Sequence, residues 1–267
     1  MRFSANSHSA KFLVSHRKLL WRISVSELKS RYAGSIFGLG WAILTPLLML
    51  LLYALVYLVI FRVRVPDLSS VQYVMFIFSG LVPFLVTSEA LSTCVGSVVA
   101  NKAVLSNTVF PIDLVPVKAV LLSQVTMVVG FISILVILLF MRTLSWTILL
   151  FPLIWFLQML GLIGLAWILS LVNLVFRDLQ NMIGLILMLV MIISPIAYTA
   201  DMVPSTLKLL VLLNPFAYFV IAYQDILVLG QLPPWWNILV LVIMSLGIFI
   251  LGGFFFSRSK RVLIDYV

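Results

Sequence analysis

The stretch GLGWAILTPLLMLLLYALVYLVIF, residues 38–61, contains 24 residues and no charged side chain. A bilayer core of roughly 30 Å is crossed by about 20 residues of α-helix. The stretch is therefore long enough to span a membrane. It is too long, and begins too far along the chain, for the apolar part of a secretory signal. We expect it to be retained as the first transmembrane helix.

Further apolar runs of similar length follow the first one. They cover residues 72–95, 115–140, 146–175, 181–198 and 236–256. The composition agrees, because 64% of the residues are hydrophobic and 9% are charged, with a mean hydropathy of +1.25. Soluble domains are about half apolar and a quarter charged. We predict an all-α polytopic membrane protein with six transmembrane helices in a single domain, comprising a leader (1–37), a membrane bundle (38–256) and a tail (257–267).

The segment between the fifth and sixth runs is half apolar but interrupted. Its interruptions are Pro204, Asn214, Pro215, Pro233 and Pro234. Such a segment does not cross a membrane as one helix, and irregular backbone is tolerated at membrane depth only where protein or water covers it. We expect a short helical pair, either re-entrant or lying on the surface.

The distribution of basic residues predicts the orientation. With both termini in the cytoplasm, 13 of the 17 Lys and Arg residues lie on the inner side. The four on the outer side are Arg62, Arg64, Arg142 and Lys208. The positive-inside rule therefore favours cytoplasmic N and C termini. The net charge of +9 then reflects loops that face anionic lipid, and not a nucleic-acid surface.

Residues 11–32 form an amphipathic leader. At 100° per residue its apolar side chains share one face and its basic side chains lie opposite. The apolar face is Phe12, Leu13, Leu19, Leu20 and Ile23, and the basic face is Lys11, Lys18, Arg22 and Lys29. This pattern predicts a helix in the membrane interface. It leaves open whether the leader only enforces topology or also meets an anionic lipid substrate.

The sequence offers little for enzymatic or ion-coupled chemistry. It contains no G-x-x-x-x-G-K-[ST] phosphate loop, its two histidines lie in the leader, and its single cysteine, Cys94, excludes a paired-Cys metal site. Glu89 is the one acid well inside a predicted span, close to its inner end, where a carboxylate reaching headgroup water is favoured over a translocation role. A membrane glycosyl- or acyltransferase is disfavoured, because acid–base catalysis needs positioned titratable groups.

Two tyrosines lie one helical turn apart in the middle of the first predicted span. Tyr53 and Tyr57 could offer ring faces to the apolar C–H faces of sugars. They could equally be ordinary packing residues. The sequence leaves both alternatives open.

Six segments, in order along the chain, resemble one family. They are LKSRYAGSIFGLGW (28–41), FPIDLVPVK (110–118), FRDL (176–179), SPIAYTADMVP (194–204), NPF (214–216) and the basic tail SRSKRVLIDYV (257–267). Together they are similar to the type-2 ABC transporter permeases that export O-antigen, capsule and teichoic acid polysaccharides. The family often has an arginine shortly after the Asn-Pro pair, where this chain has Gln224 beside Asp225.

The resemblance implies a transport subunit of the bacterial inner membrane. Such permeases form homodimers, bind two copies of a separate ABC ATPase that holds ATP and Mg²⁺, and pass a glycan on undecaprenyl diphosphate toward the periplasm. This chain then needs no cofactor of its own. The favoured cargo is O-antigen; capsular polysaccharide, teichoic acid, and drug or small-lipid efflux are the alternatives.

The resemblance also implies roles for particular residues. The elbow after the leader would meet the pyrophosphate through Lys29, Arg31 and Tyr32. The ATPase-coupling loops would contain Asn101, Lys102, Phe176, Arg177 and Asp178, although an ordinary polar turn also explains the last three. Asn214 and Pro215 would belong to a periplasmic gate, and Tyr53 and Tyr57 would line the path.

Overall fold

The computed structural model describes residues 8–60, 68–102, 111–199 and 202–263. Within these ranges every regular element is a helix, which confirms the predicted all-α class.

The leader is helical, but in two pieces. Helix α1 covers His8–Ser15 and helix α2 covers Arg17–Arg31, with one non-helical residue, His16, between them. The Ser15 hydroxyl donates to the Phe12 carbonyl at 2.8 Å, and the His16 ring lies 3.0 Å from the same oxygen. Side chains that bind backbone carbonyls in this way compete with the helical ladder. The single helix predicted over residues 11–32 therefore has a break that the charge pattern did not indicate.

Five helices in the described part of the chain are long and apolar enough to span a membrane. They are α3 (Trp41–Leu55), α4 (Ser70–Val95), α6 (Leu114–Met141), α7 (Phe151–Val175) and α11 (Trp235–Leu263). Short 3-10 turns, Gly38–Gly40 and Trp146–Leu150, precede α3 and α7, and a π-helical turn, Val56–Ile60, ends α3. A four-residue helix, α5 (Ser97–Ala100), follows α4.

The fifth predicted span is shorter than expected. Helix α8 covers only Leu179–Ile193, because Ser194 is extended ahead of Pro195 and ends the helix. Its 15 residues rise about 22 Å. Contacts with both ends of α4 show how far this segment extends. At the inner end of α4, a Cβ on Gly96 would lie 3.0 Å from the Gln180 side chain. At the other end, Tyr73 donates to the carbonyl of Ala197 at 2.9 Å. This segment therefore also crosses the bundle, as a short helix followed by an extended stretch in place of one long helix, and brings the number of crossings in the described chain to six.

The predicted helical pair lies between α8 and α11. Helix α9 covers Lys208–Leu213 and α10 covers Pro215–Gln224, with a π-helical turn, Asp225–Leu229, continuing α10. Gly230 ends this turn with φ +65°, a conformation that favours glycine. Tyr223 donates to Gln158, seven residues into α7, so α10 enters the bundle and does not only lie on its surface.

Helix α4 forms the centre of the bundle and is the most buried of the long helices. It packs against α6, α7, α8 and α10. The closest helix pair is α7 and α11, where a Cβ on Gly164 would meet the backbone of Ile248 and one on Gly252 would meet the backbone of Gly164. Small residues at such crossings let backbones approach closely in membranes.

Both ends of the described chain lie at the same end of the bundle. Glu27 of the leader forms an ion pair with Lys118 near the start of α6, and Lys260 near the end of α11 pairs with Asp113 at 2.7 Å. This end is called the inner end below, following the predicted orientation, and the opposite one the outer end. Six crossings return the chain to the end from which it started.

Candidate functional site

The two segments predicted to couple to an ATPase lie side by side at the inner end. Gly96 lies close to Gln180, which follows the turn between α7 and α8. The segment that begins at Gly96 contains α5, Asn101 and Lys102, and it therefore starts next to this turn. The Asn101 amide donates to the Ser97 carbonyl at 2.8 Å and so closes the short helix. Lys102 is exposed, and residues 103–110 of the predicted loop lie outside the described residues.

The turn at Phe176, Arg177 and Asp178 projects from this surface. All three residues are exposed. Backbone bonds within the turn hold its shape, including Met182 N–H to the Asp178 carbonyl at 3.0 Å. The side chains of Arg177 and Asp178 form no hydrogen bond or ion pair with another described residue. The turn is therefore an exposed projection with an aromatic side chain and two charges that no described residue pairs with.

The leader is fixed to the bundle by two ion pairs. Arg31 donates from Nη1 to Oε1 of Glu89 at 2.7 Å, and Thr126 of α6 donates to the other oxygen of Glu89 at 2.7 Å. Glu27 pairs with Lys118. Glu89 thus has a cationic partner, a role different from the water-seeking carboxylate that its position in the sequence favoured.

The predicted phosphate-binding residues do not all face the same way. Lys29 and Arg31 are two positions apart in α2, so their side chains leave the helix on different sides. Lys29 is exposed, whereas Arg31 turns toward Glu89 and lies 5.9 Å from the ring centre of Tyr32. The structure brings Arg31 and Tyr32 together and leaves Lys29 apart.

The Arg31 guanidinium is stabilised in its charged form. Burial disfavours its charged form, but the hydrogen bond and negative charge of Glu89 outweigh that effect, so the pKa of the Arg31 guanidinium lies above its usual value. Only one of its nitrogens is within hydrogen-bond distance of Glu89, and the side chain is 44% exposed. The other donors of the guanidinium remain available to an anion.

Sequence reasoning missed the Glu27–Lys118 pair. The available signal was that Glu27 is the one acid in the leader, and that Lys118 is the one cation in the apolar run 115–140. A lone charge in an apolar segment generally has a partner. The sequence could not say which partner, because 91 positions separate the two residues.

The two tyrosines of the first span lie against α8. Their rings are stacked, with centroids 6.3 Å apart and planes at 15°, and the Tyr53 hydroxyl lies 3.5 Å from the sulfur of Met191. Tyr57 lies in the π-helical turn that ends α3, a feature that is frequent at functional sites. The two tyrosine rings therefore lie together at the outer end of α3, with Tyr53 next to α8.

The predicted gate residues organise the start of α10. The Asn214 side-chain oxygen accepts from the Phe216 N–H at 3.0 Å as an N-cap, and its amide nitrogen donates to the Ser194 hydroxyl at 2.8 Å. Pro215 occupies the first helical position, where its missing N–H costs nothing. Asn214 thus ties α10 to the end of α8.

Gln224, the departure from the family pattern, has a definite role at the other end of α10. Its amide donates to the carbonyls of Pro195 and Ile196 at 2.9 and 3.1 Å. Gly80 of α4 leaves room for it, since a Cβ there would lie 3.0 Å from the Gln224 nitrogen. A neutral amide suffices for these bonds, and the neighbouring carboxylate of Asp225 instead accepts from Gln231 at 2.8 Å.

A second glutamine, Gln158, links three elements in the middle of the bundle. It donates to the Pro83 carbonyl at 2.9 Å and to the Thr87 hydroxyl at 3.1 Å, and it accepts from the Tyr223 hydroxyl at 2.9 Å. All of these side chains are buried. Polar residues in apolar spans generally mark such interhelical contacts, which was the signal available in the sequence.

A cavity of about 280 Å³ opens between α7, α8, α10 and α11. Apolar residues, chiefly leucine, isoleucine and phenylalanine, form its wall, with Gln158 and Ser245 as polar members. The hydroxyls of a sugar chain would lose their hydrogen bonds to water in such a space. This cavity is therefore suited to hydrocarbon and not to a glycan.

Comparison with known proteins adds to this geometry. The sequence profile of the family described as "ABC-2 type transporter" matches residues 18–228. An O-antigen export system permease protein RfbA of Klebsiella pneumoniae is 30% identical over 246 residues, which are 91% of this chain and 92% of that protein. A second protein of that name and organism is 29% identical over 218 residues, 80% of this chain and 82% of its own length. The RfbA permease of Myxococcus xanthus is 29% identical over 187 residues, 70% of each chain.

Proposed function

Because the chain belongs to the ABC-2 type transporter family, we propose that it is the permease subunit of an ABC exporter that moves O-antigen polysaccharide across the inner membrane. The observation that carries this proposal is the similarity to O-antigen export permeases over nine-tenths of the chain. The multi-pass helical architecture is compatible with it. The glycan would travel as its undecaprenyl diphosphate conjugate.

The energy would come from a separate ATPase at the inner end. Within its 267 residues the chain has no phosphate-binding loop. The adjoining segments that contain Lys102 and Arg177, both of which are exposed, would meet such a partner. Phe176 would enter an apolar groove of the ATPase while Arg177 and Asp178 pair with charges at its rim. Two ATPase copies would match two copies of the permease.

The path for the glycan would lie between two copies of the chain. The cavity described within one copy is lined by hydrocarbon, whereas a sugar chain needs polar or water-filled surroundings. Helices α3 and α8 meet where Tyr53 contacts Met191, and both carry largely exposed apolar side chains, among them Leu48, Leu51, Leu52, Leu185, Leu189 and Ile192. A two-fold axis beside this surface would form a dimer from identical faces. Tyr53 and Tyr57 would then offer their rings near the path.

The lipid end of the substrate would meet the leader. Arg31 has donors to spare, Tyr32 lies beside it, and Lys29 is exposed on the same helix. Phosphate oxygens favour such guanidinium donors. On the outer side, the pair α9–α10, held at Asn214 and Gln224, would act as the gate.

The proposal is tested first by purification from native membranes. We expect tagged protein to bring down an ABC ATPase in a stoichiometric amount. Arg177→Glu should reduce the recovered ATPase by about fivefold or more, since it places a like charge beside Asp178 and removes a cation from the docking turn. Arg142→Glu, the same reversal at the exposed outer end of α6, is the control and should leave recovery unchanged.

Cargo is tested in cells from which the gene for this chain has been deleted. Loss of surface O-antigen with intracellular accumulation of its lipid-linked form, reversed by the wild-type gene, would support the proposal. Normal O-antigen with loss of capsule or teichoic acid would reassign the cargo. Recovery of the protein with no ATPase would refute the exporter role itself.

A further inference from the structure

Helix α6 is tied to three other helices through charged groups at its inner end. Asp113, which precedes it, accepts from Lys260 of α11 at 2.7 and 2.8 Å. Lys118 pairs with Glu27 of α2. Thr126 donates to Glu89 of α4, which in turn holds Arg31 of α2. All three ion pairs found among the described residues therefore lie on α6 or one hydrogen bond away from it.

The contacts on the leader fall on one face of α2. Leu20, Ser24, Glu27 and Arg31 are spaced by four, three and four residues, so they form a single stripe along the helix. Leu20 and Ser24 are buried against the bundle. Glu27 and Arg31 carry opposite charges, and each meets the opposite charge on α6 or α4. The stripe thus fixes both the rotation of α2 and its position along the bundle.

The Arg31–Glu89 and Glu27–Lys118 ion pairs fix the position of α2 more than they add to the free energy of unfolding. Arg31 and Glu89 are 44% and 24% exposed, and pairs of that kind contribute roughly 0–1 kcal/mol. The Lys118 side chain, by contrast, is only 9% exposed, so without Glu27 its ammonium would be left almost buried and unpaired. A buried charge without a partner is strongly disfavoured. The Lys118 ammonium therefore favours a position of the leader in which Glu27 remains beside it.

Helix α6 packs against α5, the short helix that leads to Asn101 and Lys102 on the proposed ATPase surface. We infer that Glu27 and Glu89 are positioning residues of the transport cycle: they join the leader to α6, so that a displacement of α5 moves α6 and the leader as one unit. This inference rests on the proposed ABC exporter function. It adds a route from the ATPase surface to the helix that would meet the lipid-linked substrate.

The inference is tested by exchanging the charges of the Glu27–Lys118 pair, neither of which belongs to the proposed substrate or docking residues. The transporter is purified with its ATPase and reconstituted into vesicles, and export and ATP hydrolysis are measured together. We expect Glu27→Lys and Lys118→Glu each to lower export by about fivefold or more while ATP hydrolysis continues, because a repelled leader no longer follows α6. The double variant should recover most of the export.

A covalent tether gives the second measurement and guards against misfolded variants. Cys94, the single cysteine, is fully buried and is first replaced by alanine. Cysteines at positions 27 and 118 are then bridged by a short thiol-reactive cross-linker. If the leader and α6 move together, bridging should restore export toward the rate of the Cys94→Ala parent, because the unbridged variant lacks the Glu27–Lys118 ion pair.

Two results would overturn the inference. One is a charge exchange that fails to restore export although the double variant assembles with its ATPase. The other is a bridge that stops export while ATP hydrolysis persists, since that would show that the leader must separate from α6. A wild-type protein that neither binds an ATPase nor exports glycan would refute the proposed function instead, and the unmodified sample in each experiment detects that case.

Discussion

The outer and inner ends of the bundle are held by different chemistry. At the outer end the ties are neutral hydrogen bonds to backbone carbonyls, such as Thr147 to Ile226 at 2.7 Å and Tyr73 to Ala197 at 2.9 Å. At the inner end three ion pairs join distant helices, at Arg31–Glu89, Glu27–Lys118 and Lys260–Asp113, beside a neutral bond from Trp167 to the Asp113 carbonyl at 3.0 Å. The donors at the outer end are buried, whereas most of the charged groups at the inner end are partly exposed.

This difference indicates that the two ends of the bundle have different roles. A buried donor that loses its carbonyl acceptor cannot form a hydrogen bond to water instead, so the outer contacts hold the helices in one arrangement. A partly exposed ion pair can exchange its partner for water, salt or another anion at little cost. The exposed Arg31 at the inner end can thus be reached by an anion or a partner, whereas the nearly buried Lys118 keeps Glu27 beside it, and the outer end forms a frame around the helical pair α9–α10.

The largest effect is expected at the neutral network that joins α10 to the core. Gln158→Leu should lower stability by about 1–3 kcal/mol, because it leaves the buried Tyr223 hydroxyl without its acceptor. The measurement is thermal unfolding of the detergent-solubilised protein. Adding Tyr223→Phe should recover part of the loss, since it removes one orphaned group. Equal losses in the single and double variants would show that an unpaired Tyr223 hydroxyl is not the cause of the loss, and an unchanged unfolding temperature in Gln158→Leu would show that the network does not stabilise the bundle.

Two glycine substitutions compare the ends directly. A Cβ on Gly80 would lie 2.8 Å from Val220, a packed and branched side chain, whereas one on Gly96 would meet only the flexible end of the exposed Gln180. We expect Gly80→Ala to lower stability by about 1–2 kcal/mol through overpacking. Gly96→Ala should change it by no more than about 0.5 kcal/mol. A reversed order in thermal unfolding would contradict the picture of a tightly packed outer end.

The smallest effect is expected from salt. At about 1 M ionic strength the screening length falls to about 3 Å, so partly exposed ion pairs weaken while neutral bonds do not. Amide hydrogen exchange in α2 should therefore become faster with salt, and exchange in α10 should not. Glu89→Gln should raise exchange in α2 at low salt and reduce its salt response. Salt-independent exchange in α2 would show that packing at Leu20, and not the ion pairs, holds the leader.

Much of the fold was predictable because a lipid solvent imposes simple rules. Uncharged runs such as residues 38–61 must be helical, since every backbone group has to be satisfied within the segment. The interrupted segment containing Pro204 and Pro215 was recognised as a helical pair for the same reason. The fifth span was overestimated because its apolar character continues beyond Ser194, although Pro195 ends the helix there.

The candidate site was predictable in part. The exposed turn at Arg177 and the cap at Asn214 are local features, and local sequence indicates them. The pairing of Glu89 with Arg31 is not local, since 58 positions separate the two residues. The same holds for the contacts of Gln224, which depend on how α10 enters beside Gly80.

The sequence by itself determined that this protein is a helical membrane bundle with a basic, amphipathic leader, because hydropathy and charge are summed along the chain and need no knowledge of contacts. The tertiary structure alone decided which polar groups meet. It placed Arg31 against Glu89 and Glu27 against Lys118, and it joined the leader to α6. The physical reason is that partners for isolated charges and amides are chosen by helix packing, and packing is set by small residues such as Gly80 and Gly164 far from the charges themselves.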